Sequence, residues 1–316
     1  MLQKKWTSLL AVLMALFVLL VPLAQPAAPV EAASKTRVFK TELGKLVIKG
    51  TPKRIVTLSM AGTDAVVTLG LKPVGYTISN SGTVPTYLRN KLKGVPSVGA
   101  LSAPSLERIA ALKPDLIIID HEFEFHKAII PQLKKIAPVA GFRANSYKEA
   151  MNQLLVLGDI LGRKAKAKSF VNQFYKELKS QQAKLKDKNL RVLGFFVNKD
   201  GINVWQDNSF SGSIFTALKA DYAFKEKGDE YSDFKTVSLE RILEIDPDVL
   251  FAYTDPGKND LKKVKSQPDL VPIKSGEKEA GGGSQSRSLV SQPGTVGGEI
   301  DCKRSGIHFK TLSVIG

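Results

Sequence analysis

One sixteen-residue pattern occurs twice in this chain and constrains its fold more than any other feature. Residues 105–120 read SLERIAALKPDLIIID, and residues 238–253 read SLERILEIDPDVLFAY. Each copy opens on a serine, a residue type whose side chain caps the orphan N–H groups of a helix start. In the first copy Leu106, Ile109, Ala110 and Leu112 follow at helical spacing. Pro-Asp stops the helix. A continuous apolar run comes next, as expected of a parallel strand covered on both faces. A weaker echo precedes each copy. Arg54 to Gly70 reads strand, small-residue turn, helix; Arg191 to Leu218 reads strand, hairpin-like stretch, small-residue turn, helix. Alternating strands and helices predict an α/β protein. The repetition predicts two α/β lobes of similar build, with mostly parallel sheets.

Ser146 to Lys186, between the copies, contains no proline and one apolar periodicity. Leu154, Leu155, Leu157, Ile160 and Leu161 begin it, and Phe170, Val171, Phe174, Tyr175 and Leu178 continue it. Gly158 and Gly162 read as mild interruptions. The pattern predicts one long bridging helix, spanning ~60 Å at 1.5 Å per residue. The expected organisation is residues 1–33 as a signal peptide, 54–145 as the N-terminal lobe and 146–187 as the bridge. Residues 188–265 form an incomplete C-terminal lobe, and 266–316 an aberrant tail.

The leader has Lys4 and Lys5 ahead of an apolar run from Leu9 to Val21, then small residues and prolines to Ala32 and Ala33. A charged start, an apolar middle and a small-residue end are the parts of a secretory signal. The run is short for a spanning helix, which needs ~20 apolar residues. The mature chain is therefore expected outside the cytoplasmic membrane, with no lipobox cysteine to anchor it. Its one cysteine, Cys302, forbids an intrachain disulfide and any cysteine-based zinc or iron–sulfur site. Lys+Arg 46 against Asp+Glu 30 gives a net charge of +16. In an exported chain that excess points to an anionic envelope or an anionic ligand, not to nucleic acid.

Chemistry for catalysis is not legible. No P-loop, GxGxxG, GxSxG or HExxH word occurs. Asp64 and Glu107 form no acid–base pair pattern, and three histidines do not make a metal centre. Polar, aromatic and basic groups collect instead at strand ends and loops of both halves. These are Ser59, Met60, Arg89, Ser102, His121 and Arg143 in the first, and Trp205, Asn208, Ser209 and Tyr231 in the second. His121 follows the strand ending at Asp120, and α/β proteins place ligand groups at such carboxyl ends. Groups from two lobes facing one cleft describe a binding protein.

The same residues carry a family likeness. Residues 54–59 (RIVTLS), 64–66 (DAV), 69–76 (LGLKPVGY) and 97–99 (SVG) come in order, followed by both SLERI and Pro-Asp words. From about Arg54 to Thr254 the chain resembles the substrate-binding proteins of iron–siderophore ABC importers. The stretch from Asn203 to Trp205 and from Ser211 to Ile214 resembles the ferric-citrate branch. The resemblance implies two α/β lobes joined by one long helix, with the ligand held between them. It implies a monomer that is not an enzyme, carries no cofactor and ligates no metal, because a chelator fills the coordination sphere of the iron. The expected ligand is ferric citrate or another Fe(III)-siderophore, with heme or cobalamin as the alternative. A secreted hydrolase or an envelope-adhesion module is the rival from another class. The expected partners are ABC permease subunits, whose arginines would meet Glu107 and Glu240, one glutamate per lobe. An anionic chelate suits Arg143 and Arg89, since the guanidinium fork pairs with carboxylates. Trp205 would be a flat apolar wall.

The end of the chain departs from the family. From about Ser266 glycine and serine replace periodic apolar runs. Back-translation lets an offset frame hide the words Ala-Asn-Pro-Ile-Trp and Val-Trp-Ser-His-Ser-Arg, which resemble the family's own ending. A shifted reading frame is therefore expected, with a disordered tail and a bare sheet edge at Val249 to Tyr253.

Overall fold

A computed structural model describes residues 35–80, 82–120, 124–185, 189–198, 201–226, 233–254, 288–293, 300–302 and 307–309. The expected signal peptide, His121 and Tyr231 lie outside the described residues. So does most of the tail.

The described chain begins with a hairpin the sequence reading did not assign, β1 (Thr36–Thr41) and β2 (Gly44–Lys49), paired antiparallel. The first lobe follows: β3 (Ile55–Thr57), α1 (Met60–Thr68), β4 (Gly75–Ile78), α2 (Thr86–Arg89) and β5 (Ser97–Ala100). It continues with β6 (Ala103–Pro104), α3 (Leu106–Ala111), β7 (Leu116–Ile119), α4 (Glu124–Ile136) and β8 (Val139–Gly141). The sheet order is β6-β5-β4-β3-β7-β8, parallel except for the β5–β6 pair. Alternate residues of the central strands feed two cores. Ile55, Leu116 and Ile118 face one; Val56, Ile117 and Ile119 face the other, beside Ile109 of α3 and Leu133 of α4. This is why the 116–119 run is apolar throughout.

The expected single bridging helix is two helices, α5 (Tyr147–Ile160) and α6 (Lys164–Leu185). They fold back on each other, so the ring of Tyr147 at the start of α5 lies 5.8 Å from that of Phe174 within α6. Gly162 makes the break. Its φ of 65° is left-handed, a conformation glycine adopts without steric penalty. Arg163 N–H then closes on the Gly158 carbonyl at 2.6 Å. Gly158 has a packing role too: a Cβ there would collide with Ala167 across the turn. Folding back buries both apolar stripes in one core, which continues into the second lobe through Ile214 and Leu218.

The second lobe contains β9 (Arg191–Asn198), β10 (Gly201–Trp205), α7 (Phe210–Ala217) and β11 (Asp221–Tyr222). β12 (Phe234–Val237), α8 (Leu239–Ile245) and β13 (Val249–Thr254) complete its repeat. Its sheet runs β12-β10-β9-β13-β14, with β14 (Ser288–Pro293) drawn from the tail. The β9–β13–β14 side is parallel and the β12–β10–β9 side antiparallel. The expected bare edge at Val249 to Tyr253 is thus corrected: β14 pairs with the whole of β13. An apolar strand with unpaired N–H and C=O groups is a template for another strand, and the tail supplies one. β15 (Ile300–Cys302) and β16 (Ile307–Phe309) pair with each other and, among the described residues, form a two-stranded sheet.

The repeat acquires a structural meaning here. Ser105 and Ser238 cap their helices, accepting from the N–H groups of Arg108 and Arg241. The Pro-Asp aspartates fasten the neighbouring strand. Asp115 accepts from the N–H groups of Lys53 at 2.7 Å and Arg54 at 2.8 Å, and Asp248 from that of Arg191 at 2.8 Å. The strand-leading arginines answer by donating to helix-end carbonyls, Arg54 to Leu112 at 2.6 Å and Arg191 to Asp246 at 3.1 Å. Lys113 and Asp246 hold the same left-handed turn, at φ 44° and 51°. Strand, helix and strand are clamped alike in both lobes.

Candidate functional site

The first helix of each lobe starts on the same Ser-x-x-Gly word. Ser59 caps α1 and Ser209 caps α7, their hydroxyls accepting from Gly62 N–H at 3.0 Å and Gly212 N–H at 3.1 Å. Both serines are buried, and Ser209 also donates to the Gln206 carbonyl at 2.6 Å. Each cap contributes about 1 kcal/mol. These two candidate contact residues are thus committed to the local fold. Both glycines are needed: a Cβ on Gly62 would meet Ile118 at 2.8 Å, and one on Gly212 would strike the Gln206 carbonyl.

Arg143 is where the two lobes meet. It follows β8 in the first lobe, and its Nη2 donates to Oδ2 of Asp233, just before β12 in the second lobe, at 3.1 Å. Its Nη1 is 4.0 Å from Oδ1 of Asp120, at the end of β7. Nε donates to the Asn145 side chain at 3.1 Å, and the Arg143 carbonyl accepts from Gln153 of α5. The arginine is held on several sides. Behind Asp120 the buried His126 ring meets the Asp120 carbonyl at 2.7 Å, and burial lowers its pKa from the ordinary imidazole value.

Trp205 ends β10, opposite Phe234 in the β10–β12 register. Its ring packs against Phe196 at 5.0 Å and Phe234 at 5.9 Å. Tyr222 donates its hydroxyl to the Trp205 carbonyl at 2.7 Å, and Gln206 N–H donates to the Asp233 carbonyl at 2.9 Å. Arg143 and Trp205 therefore belong to one neighbourhood, joined through the consecutive residues Asp233 and Phe234. Sequence reasoning missed both of these. The signal was faint: an aspartate and a phenylalanine two strands away from the tryptophan, with nothing to set the register.

The other candidates are spread over loops and helix ends. Asn80 Oδ1 accepts from Ser102 at both N–H and hydroxyl, at 3.0 and 2.8 Å, tying two loops together. Arg89 is exposed on α2 and donates from Nε to the Val84 carbonyl at 3.1 Å. Met60 is half-buried at the start of α1, and Asn208 is exposed ahead of α7. Glu107 and Glu240 are both exposed in the first turns of α3 and α8. A hydrogen bond at its own backbone, then the Ser238 hydroxyl, holds the Glu240 carboxyl below its ordinary value. Its neighbour Arg241 is tied to Glu226 at 2.7 Å and to Glu244 at 2.8 Å.

One buried carboxyl stands beside the α2 loop. Asp64 of α1 is 8% exposed, and burial pushes its pKa up to about 6 against the opposing pull of Lys91 and a hydrogen bond with Tyr87. Burial, with Asp64 second, likewise raises the Tyr87 hydroxyl. Among the described residues no group of three or more His, Cys, Asp or Glu side chains is placed to hold a metal ion. None of their helices is long and apolar enough to cross a membrane.

Two α/β lobes that meet at an arginine and an aromatic wall have the build of a two-lobed solute-binding protein. The periplasmic binding protein family profile matches residues 55–276, and the chain belongs to that family. The Fe(3+)-citrate-binding protein YfmC of Bacillus subtilis (strain 168) is 34% identical over 248 residues, 77% of each chain. The Fe(3+) dicitrate-binding periplasmic protein FecB of Escherichia coli (strain K12) is 28% identical, over 72% of this chain and 75% of that one. Among solved structures the chain is similar to Staphylococcus aureus SirA complexed with staphyloferrin B. That match has a TM-score of 0.61 and 27% identity, and covers 74% of this chain and 85% of that one.

Proposed function

We propose that this protein is exported, captures a ferric chelate between its lobes and hands it to an ABC permease without chemical change. The observation that carries the reading is Arg143, anchored in one lobe and directed at the other, beside the Trp205–Phe234–Phe196 wall. A guanidinium fork suits the free carboxylates of ferric citrate or a similar anionic siderophore. An aromatic face suits the apolar body of a chelator. The relatives named for ferric citrate support the same ligand class. Met60, Arg89, Ser102, His121, Asn208 and Tyr231 are the further proposed contacts, with Ser59 and Ser209 shaping the helix starts beneath them. The protein acts as a monomer, its signal peptide removed after Ala32 or Ala33.

Titration with ferric citrate, ferric hydroxamates, ferric catecholates, heme and cobalamin tests the reading. Trp205 is the sole tryptophan after the leader, so its fluorescence should report binding. Calorimetry serves the variants. Arg143→Ala should cost ~2–5 kcal/mol of affinity for an anionic ferric chelate, the usual consequence of losing one partner of a buried charge pair. Trp205→Ala should weaken binding as well. If both variants bind every iron chelate as the parent does, the site lies elsewhere.

Glu107 and Glu240 are proposed to dock the two lobes on the permease. Each is exposed at the same place of a repeated helix, and Arg241 beside Glu240 is already neutralised within its lobe. The double change Glu107→Ala, Glu240→Ala should abolish iron uptake by cells while calorimetry shows unchanged chelate affinity. Undiminished uptake would remove this role.

A further inference from the structure

We propose that Asp233 is a built-in competitor for Arg143, so that only a ligand able to replace its carboxylate gains the cleft arginine. The inference rests on the chelate-binding reading and deepens it by naming a residue that sets ligand charge. Three observations carry it. First, the Arg143–Asp233 pair crosses from one lobe to the other, 3.1 Å between Nη2 and Oδ2, where an anionic ligand would approach the guanidinium. Second, Asp233 is presented by a fixed backbone. Its carbonyl is bonded to Gln206 N–H, and Phe234 beside it is locked against both Trp205 and Phe196. Third, Asp120 stands 4.0 Å from the other terminal nitrogen of the same guanidinium. Arg143 thus faces a carboxylate from each lobe.

An anionic chelate gains the guanidinium when its own oxygens take the place of Asp233. The guanidinium then keeps Asp120 at its back and exchanges one carboxylate for another. A neutral or cationic chelate has nothing to offer in that exchange. It leaves the Arg143–Asp233 pair intact and gains nothing from the arginine. The pair therefore discriminates by charge, because only an anion can take up the exchange. If the pair were only a lobe-to-lobe fastening that persists in the complex, losing it would weaken binding of every ligand.

The test is Asp233→Asn, which keeps the side-chain shape and removes the charge, with Asp233→Ser as a second variant. Calorimetric titration uses ferric citrate as the anionic probe and ferrioxamine B as a cationic one. Circular dichroism checks that each variant is folded. Ferric citrate should bind both variants about tenfold more tightly than the parent, and the gain should shrink as salt rises. Ferrioxamine should show no gain. In an Arg143→Gln background, Asp233→Asn should change ferric citrate affinity little, because the competitor acts through that arginine. If the parent binds ferric citrate and Asp233→Asn binds it equally or more weakly, the competitor inference falls while the chelate reading stands. If neither chain binds any ferric chelate, both fall together.

Discussion

Replacing Asp64 by asparagine should stabilise this protein near neutral pH and flatten part of its pH dependence. Asp64 is 8% exposed, and its pKa is raised by burial to about 6. An aspartate in an unfolded chain titrates near ~3.9. The folded protein therefore holds a proton on Asp64 that the unfolded chain releases between about pH 4 and pH 6. The stability slope follows the difference in bound protons, unfolded minus folded, which is negative in this window. The stabilising contribution of the protonated carboxyl is fully present below about pH 4. It is lost as pH rises through about 6 and stays lost above. A shift of this size corresponds to an upper limit of about 3 kcal/mol, at 1.36 kcal/mol per pH unit. Asparagine keeps the shape and an acceptor oxygen for the Tyr87 hydroxyl but cannot ionise. Urea denaturation of both chains from pH 4 to pH 8 gives the stability difference directly. Carboxylates with lowered values, such as Glu226, bend the curve the other way in both chains and cancel in the comparison. The difference should grow from near zero at pH 4 to as much as about 3 kcal/mol at pH 7 in favour of Asp64→Asn. A difference that stays constant across the range would refute the argument that burial sets this carboxyl.

Two further outcomes are expected. Asp115→Ala removes the acceptor for two backbone N–H groups at the start of β3 and should cost ~1–3 kcal/mol in urea denaturation. Asp248→Ala should cost less, and a loss below about 0.5 kcal/mol at both sites would mean the repeated aspartates are mere turn residues. We propose that the chain after about Ser266 is read in a shifted frame. Resequencing the gene should reveal the altered frame, and restoring the other frame near Lys265 should raise both melting temperature and chelate affinity. An intact frame on resequencing would make this tail a genuine ending.

What was legible in the sequence was what neighbouring residues decide among themselves. Ser105 and Ser238 cap the helices they precede, and the runs at 55–57 and 116–119 are strands. Such signals are local: a hydroxyl reaches an N–H three residues on, and an apolar run must be covered on both faces. The two-lobed α/β plan followed because the same signals occur twice. Arg143 and Trp205 were also legible as candidates, since a basic or flat aromatic group at a strand end has few structural uses.

Tertiary structure decided whatever depended on partners distant in sequence. Residues 146–187 show one continuous helical period, yet α5 and α6 fold back at Gly162, because stacking their apolar stripes buries both in a shared core. Periodicity reports which face of a helix is apolar, not whether that face finds its partner by running straight or by turning back. His126 carried no assignment in the sequence but is buried, with its ring against the Asp120 carbonyl. Asp233 had no meaning until β12 paired with β10 and carried it to an arginine ninety residues earlier in the chain. Only the pairing of strands sets that register, and the register placed the carboxylate that now faces Arg143.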